Sequence, residues 1–298
     1  MAVMNEIHID SLLPAEMAAK AESIGVRKAN MPFFTMLMLS ILAGLFISLG
    51  GIFATTIAAG GMSVNSADGA LAFSTALPYG VTRLLTGLVF CLGLILVVVG
   101  GAELFTGNTL IVMAWASQKV TTVALLRNWV IVYIGNFIGA VGTAVLMFFS
   151  KQYTFGADAV GIAALRIAIS KSELGFIQAI ALGILCNLLV CLAVWLTFSA
   201  RTTLDKIASI IFPITAFVAA GFEHSVANMY FMPYALFVKM FDPEFMLRIG
   251  DRVANLDSLT WQAFFINNLL PVTIGNIIGG AVMVAAVYWA IFLRGKKD

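Results

Sequence analysis

The chain has 298 residues, of which 61% are hydrophobic and only 11% charged, with a formal net charge of +2. Soluble domains carry roughly 25% charged residues, so a mean hydropathy of +1.01 excludes a water-facing surface over most of this chain. Cys91, Cys186 and Cys191 lie in apolar stretches and form neither a disulfide framework nor a paired metal motif.

The first 30 residues carry Glu6, Asp10, Glu16 and Glu22 and lack the apolar core of a secretory signal. Ser11 to Ala29 reads as an amphipathic helix lying on the cytoplasmic surface. Ser11 is placed to cap it, Pro14 falls in its first turn, and Leu13, Met17, Ile24 and Val26 supply the apolar face. It is read as an interfacial anchor, with a mobile gate or plug as the alternative.

Crossing the hydrocarbon core takes about 20 residues of helix, and six segments qualify. They run from about Phe33 to Ala59, Val81 to Trp115, Asn128 to Phe149, Glu173 to Ser199, Ile207 to Met240 and Trp261 to Leu293. None alternates with period two, so helices are the form that satisfies the backbone in lipid. The second and fifth are too long and too interrupted for plain spans. Arg27, Lys28, Lys119, Arg127, Arg201, Lys206, Arg294, Lys296 and Lys297 flank alternate ends of these segments. By the positive-inside rule both termini are cytoplasmic. The opposite links hold Asp68, Asp158, Asp242, Glu244, Asp251 and Asp257, and Trp115, Trp129, Trp195, Trp261 and Trp289 are expected at the interfaces. The domain plan is an N-terminal helix over 1–30, one membrane domain over 31–293 and a basic tail over 294–298.

The two halves of the chain match. Gly101-Ala-Glu103-Leu-Phe-Thr-Gly-Asn108 and Gly221-Phe-Glu223-His-Ser-Val-Ala-Asn228 both read G-x-E-x-x-x-x-N. Asn128 with Gly135-Asn136, and Asn268 with Gly275-Asn276, both read N-x6-G-N. Three spans per half make the halves face opposite ways, an inverted 3+3 repeat of the kind many transporters use. Gly-interrupted segments at matching positions point to the substrate path, so the breaks at Gly100-Gly101 and Gly221 mark it. Amides freed at half-helix starts favour an anion.

Glu103, Glu223 and His224 are ionisable residues inside apolar spans, where such groups are functional candidates. Each glutamate follows its break glycine by two residues and reads as an acceptor that holds the broken loop. Asn108, Asn136, Asn187, Asn228 and Asn276 are expected to share that work, some reaching the permeant, while Thr106 and Ser225 offer hydroxyls in the breaks. Phe90, Leu94, Leu104 and Phe217 flank the breaks and suggest apolar constrictions about a polar centre, with plain packing as the alternative. No nucleotide, zincin or C-x-x-C motif is present. The expectation is a solute pathway rather than an enzyme, with no cofactor, no metal and no nucleic-acid partner.

These motifs resemble the formate/nitrite transporter family over almost the whole chain. The resemblance rests on GAELFTGNTLIV (Gly101 to Val112), GFEHSVANM (Gly221 to Met229), GILCNLLVCLAVW (Gly183 to Trp195) and PVTIGNIIGG (Pro271 to Gly280). Leu12-Leu-Pro-Ala adds a likeness to the bacterial formate channel branch. The resemblance implies an aquaporin-like fold and a homopentamer in a bacterial or archaeal cytoplasmic membrane, with one pore per protomer for a small monovalent anion. It places Thr106 and His224 as the polar pair at the pore centre, Lys171 as the lysine drawing anions from the outer side, and Asn187 and Asn228 as associated pore residues. Phe90, Leu94, Leu104, Val190 and Phe217 become the constrictions. Two departures stand out: Gly107-Asn108 after Thr106, where that branch has small hydroxyl residues, and a longer outer loop from Gly60 to Tyr79. Formate is the expected permeant, and nitrite or hydrosulfide the alternative.

Overall fold

The computed structural model describes residues 10–60, 63–65, 71–74 and 77–295. Asp68 and the tail lysines Lys296 and Lys297 lie outside the described residues. Among the described residues six helices are long and apolar enough to cross a membrane. Helix α1 is Pro14–Ala29 and α2 is Phe33–Ala58. Between α2 and α3 (Tyr79–Gly100), strands β1 (Ser63–Asn65) and β2 (Leu71–Ser74) pair antiparallel, the only strands among the described residues.

The second segment breaks as the sequence predicts. Helix α3 stops at Gly101, and the chain resumes as α4 (Phe105–Asn108), a short 3-10 turn over Thr109–Ile111, and α5 (Val112–Ala116). Helix α6 is Thr122–Phe149, capped by the Thr121 side chain accepting from the Ala124 amide. A helix that the span count passed over follows, α7 (Ala159–Ser172), then α8 (Phe176–Ser199). The fifth segment repeats the break: α9 (Thr203–Ala220) ends at Gly221 and α10 (Ser225–Phe241) begins after His224. Short α11 (Pro243–Ile249) leads toward the last span, Ala263–Phe292. There a wide-turned stretch over Ala263–Leu269 precedes α12 (Leu270–Ile277), a second covers Ile278–Ala286, and α13 (Val287–Phe292) closes the span. Pro271 has no N–H, and its ring would crowd the Asn267 carbonyl in an α-helix, so a wider turn before it relieves the conflict.

The bundle is close-packed where glycines let backbones meet. Helix α2 lies against α6 and α3, and α8 lies against α12 and α9, the same arrangement in each half. A Cβ at Gly139 would collide with the Ile41 carbonyl oxygen, and one at Gly279 with the Ile184 carbonyl oxygen. Tyr133 and Thr273 occupy matching positions of the two halves and share a hydrogen bond of 2.9 Å, so the halves meet there directly.

Two expectations change. Helix α1 begins at Pro14 with Leu13 as its cap residue, and the Leu13 amide is taken by the Glu16 carboxylate at 2.7 Å; Ser11 does not cap it. The helix is also no surface float. Met17, Ala18, Ala21, Gly25 and Ala29 are buried against Leu110–Ala114, α8 and the last span, with Glu22 paired to Lys119 at 2.9 Å. Trp195 is likewise buried, stacked on Tyr288 at 4.1 Å, rather than interfacial.

On the face away from α1, Asp158 accepts two hydrogen bonds from Arg248, at 2.9 and 3.0 Å, and lies 3.4 Å from Arg252. The Arg248 hydrogen bonds hold its carboxyl below the usual carboxylate range against the opposing effect of burial. A depressed folded pKa contributes stability at neutral pH that is lost as pH falls through it. Asp158→Asn is therefore expected to lower the melting temperature in detergent at pH 7, with the difference from wild type closing in acid. Parallel melting curves across that range check it.

Candidate functional site

The site is built on two broken helices whose loops lack intrahelical partners. Gly101 (φ 79°) and Gly221 (φ 78°) take the left-handed conformation that ends α3 and α9, which a side chain would strain. Beyond each glycine the chain runs extended to Leu104 or His224 before helix resumes. The Glu103 amide donates to the Leu39 carbonyl at 3.2 Å and the Glu223 amide to the Leu182 carbonyl at 3.3 Å. Asn136 accepts from the Phe105 amide at 2.9 Å and donates to the carbonyls of Ser40 and Glu103 at 2.8 and 2.9 Å. Asn276 repeats this, accepting from the Ser225 amide at 2.9 Å and donating to the carbonyls of Gly183 and Glu223 at 2.8 and 2.9 Å. The acceptors for these loop amides are thus asparagine side chains and carbonyls of neighbouring helices, not the glutamates that the sequence predicts.

The glutamates bind side chains instead. Lys28 donates to Glu103 at 2.8 Å and to Asn108 at 3.0 Å. Asn108 in turn donates to Glu103 at 2.8 Å and to Asn128 at 2.9 Å, and Asn128 donates to the Lys28 carbonyl at 3.0 Å. The second half has the same design. Lys171 donates to Glu223 at 2.7 Å, Asn228 donates to Glu223 and Asn268 at 2.6 Å each, and Asn268 donates to the Lys171 carbonyl at 3.1 Å. Lys171 sits in the last turn of α7, its side chain 13% exposed, and its charge is matched. Lys28, which the sequence marks only as an orientation charge, and Asn128 complete the first network, and Asn268 completes the second. The sequence held a signal: Lys28 and Lys171 both stand five residues before the phenylalanine, Phe33 or Phe176, that opens the next span.

At the centre the symmetry stops. The position matching His224 in the first half is Leu104, and that matching Thr106 in the second is Val226. His224 is 3% exposed. Its Nδ1 accepts from the Ala227 amide at 3.1 Å, which assigns the neutral ring's proton to Nε2. Nε2 lies 2.9 Å from Thr106 Oγ1, so the imidazole donates to the hydroxyl. Asn187 is fully buried behind this pair, donating to the Thr106 carbonyl at 3.2 Å, to Thr109 at 3.2 Å and to the Asn276 carbonyl at 2.7 Å.

Three cavities adjoin in series through shared lining residues. A vestibule of about 330 Å³ opens on the α1 side and is lined by Lys28, Glu103, Leu94, Leu104 and Asn108. A second, of about 160 Å³, opens on the far side and is lined by Lys171, Glu223, Asn228, Phe90, Phe217 and His224. Between them lies a chamber of about 10 Å³ walled by Phe90, Leu94, Leu104, Val190, Phe217 and His224. That chamber holds at most about one water. Phe90 and Phe217 meet edge to face at 5.7 Å and separate it from the far vestibule. Thr106 and Asn187 line none of the three and reach the path only through their hydrogen bonds.

Two vestibules with paired charges, joined through an apolar waist with one histidine, define a polytopic membrane pore protein. The formate/nitrite transporter family model matches residues 15–290, and the chain belongs to that family. It is 43% identical over 286 residues to the formate channel FocA of Escherichia coli K12, covering 96% of each chain. It is 40% identical over 275 residues to the formate channel FocA of Haemophilus influenzae, covering 92% of each. Among solved structures, a pentameric formate channel with formate bound superposes with a TM-score of 0.78 at 42% identity, covering 88% of this chain and 98% of that one.

Breaking a buried ion pair from one side costs about 3–5 kcal/mol because the remaining charge is left uncompensated. Lys171→Met is expected to destabilise the protein on that scale, and Lys171→Met with Glu223→Gln to recover much of the loss. Thermal melts of wild type, single and double variants measure it.

Proposed function

We propose that this chain is a channel for formate across the cytoplasmic membrane, a pentamer with one pore per protomer and both termini cytoplasmic. The observation that carries the reading is the His224 Nε2–H donor at the waist between two vestibules that each hold a lysine paired to a buried glutamate. The relatives' names support formate as the permeant, and the outward apolar residues on the spans, such as Phe212 at 82% exposure, suit lipid or neighbouring copies. In this reading α1 is a cytoplasmic element docked beneath the first vestibule, and residues 31–293 form the pore.

A bare anion in an apolar waist is costly. The vestibule lysines and a donor at the centre offset that cost. The closed chamber must widen between Phe90 and Phe217, and between Leu94 and Leu104, before a three-heavy-atom anion passes. An anion reaching His224 competes with Thr106 for the Nε2–H. In its resting form the neutral ring is a hydrogen-bond donor and not an acid. To protonate the anion it must first take a second proton at Nδ1, which displaces the Ala227 amide from that nitrogen. A bound anion favours that charged form by direct attraction, so proton transfer is coupled to occupancy of the site.

Proteoliposomes containing the purified protein are expected to take up formate faster than nitrite, hydrosulfide or lactate, with uptake rising as pH falls. Preference for nitrite or hydrosulfide would overturn the substrate while keeping the family. His224→Phe removes the donor and is expected to abolish the pH dependence; an unchanged pH profile in that variant would sink the proton step.

A further inference from the structure

We infer that Arg83 is a second anion-binding determinant of the far vestibule, holding the permeant monoanion before it reaches the Phe90–Phe217 constriction. The inference rests on the anion-channel reading above and adds a residue that reading does not use.

Arg83 lies in the first turns of α3, yet it reaches the far half of the repeat. Its Nε donates to the Ala219 carbonyl at 3.0 Å, and its Nη2 donates to the Val218 carbonyl. The guanidinium thus lies over the C-terminal end of α9, beside the break glycine; a Cβ at Gly221 would stand 3.3 Å from Nη2. It also lines the same 160 Å³ vestibule as Lys171, Glu223, His224 and Phe217.

Three physical points give it an electrostatic role. The C-terminus of α9 places the negative pole of the helix at the vestibule, which repels an anion, and there Phe217 and Val218 carbonyls accept cap amides while the Ala219 carbonyl takes Arg83. Arg83 covers that pole with two donated hydrogen bonds. Its charge is also the uncompensated one. Lys171 is neutralised by Glu223 at 2.7 Å, whereas Arg83 pairs with no carboxylate among the described residues. Finally, an arginine presents five donors in a rigid fork, and only the Nε and Nη2 edge is engaged with protein. Nη1 remains to meet a small oxyanion. The matching position in the second half is Thr203, an uncharged residue at the start of α9, so the feature belongs to the far vestibule alone.

The experiment compares wild type, Arg83→Gln and Arg83→Lys in proteoliposomes. It measures uptake of the monoanion that wild type carries fastest against its concentration, with and without added impermeant salt. Arg83→Gln is expected to raise the half-saturating concentration several-fold, with a smaller change in maximal uptake, and to weaken the inhibition by salt. Arg83→Lys is expected to restore much of both. Half-saturation and salt dependence unchanged in Arg83→Gln overturn the inference. So does an equal loss of maximal uptake in both variants at unchanged half-saturation, which reads as helix capping alone. Melting curves of each variant exclude simple unfolding as the cause, since a folded protein is required for either result to count. Wild-type uptake itself reads the channel assignment: if wild type carries no monoanion, that assignment fails and this inference falls with it.

Discussion

Broken helices in a hydrocarbon medium leave backbone amides and carbonyls that nothing in the lipid can satisfy. Each such orphan costs several kcal/mol, so a pore made from two interrupted spans stands or falls on how its loops are held. Here one asparagine per half does most of that work. Asn136 and Asn276 each make one bond as acceptor and two as donor, tying the loop to the helix across from it. Both are fully buried, and an amide suits the task because it supplies both polarities from a single uncharged group. A carboxylate offers acceptors only, which is why the glutamates could not have taken the same place.

With the loops fixed by neutral groups, the charges are free for another arrangement. Glu103 and Glu223 neutralise Lys28 and Lys171 in the two vestibules, with asparagines donating to the second carboxylate oxygen of each. Lysine arrives from outside the break in each half: Lys28 from the end of α1 and Lys171 from the end of α7. This gives α1 and α7 equivalent positions in the repeat. The N-terminal helix is therefore a structural counterpart of an element within the membrane domain, which accounts for its buried face better than an anchoring role does.

How far this was legible in the sequence depends on whether a feature is local. The breaks were readable because glycine at a left-handed position and a polar cluster in an apolar run are local signals. The repeat was readable because its two motifs recur in order. Helix α7 was missed because Ala159–Ser172 is too short for a span and carries no strong amphipathic pattern. Lys28 was missed because it stood in a segment read as surface, and only three-dimensional closure brings it 2.8 Å from Glu103. The asparagine-for-glutamate exchange could not be read at all: both residue types sit near the loops, and only geometry says which one faces a backbone amide.

The departures from symmetry carry the chemistry. A duplicated scaffold with identical centres would present either two histidines or none. With Leu104 opposite His224 and Val226 opposite Thr106, the chain keeps one donor pair and makes the remaining wall apolar. A single polar point in a chamber of about 10 Å³ offers one hydrogen-bond donor and no water-filled route. The same argument extends to the mouths. The Lys–Glu pairs are nearly neutral in both halves, so any difference between the two vestibules must come from residues outside the repeated network. On the far side Arg83 is such a residue, contributed by the first half to the break of the second. Repetition builds the frame, and substitutions at unmatched positions give its two ends different chemistry.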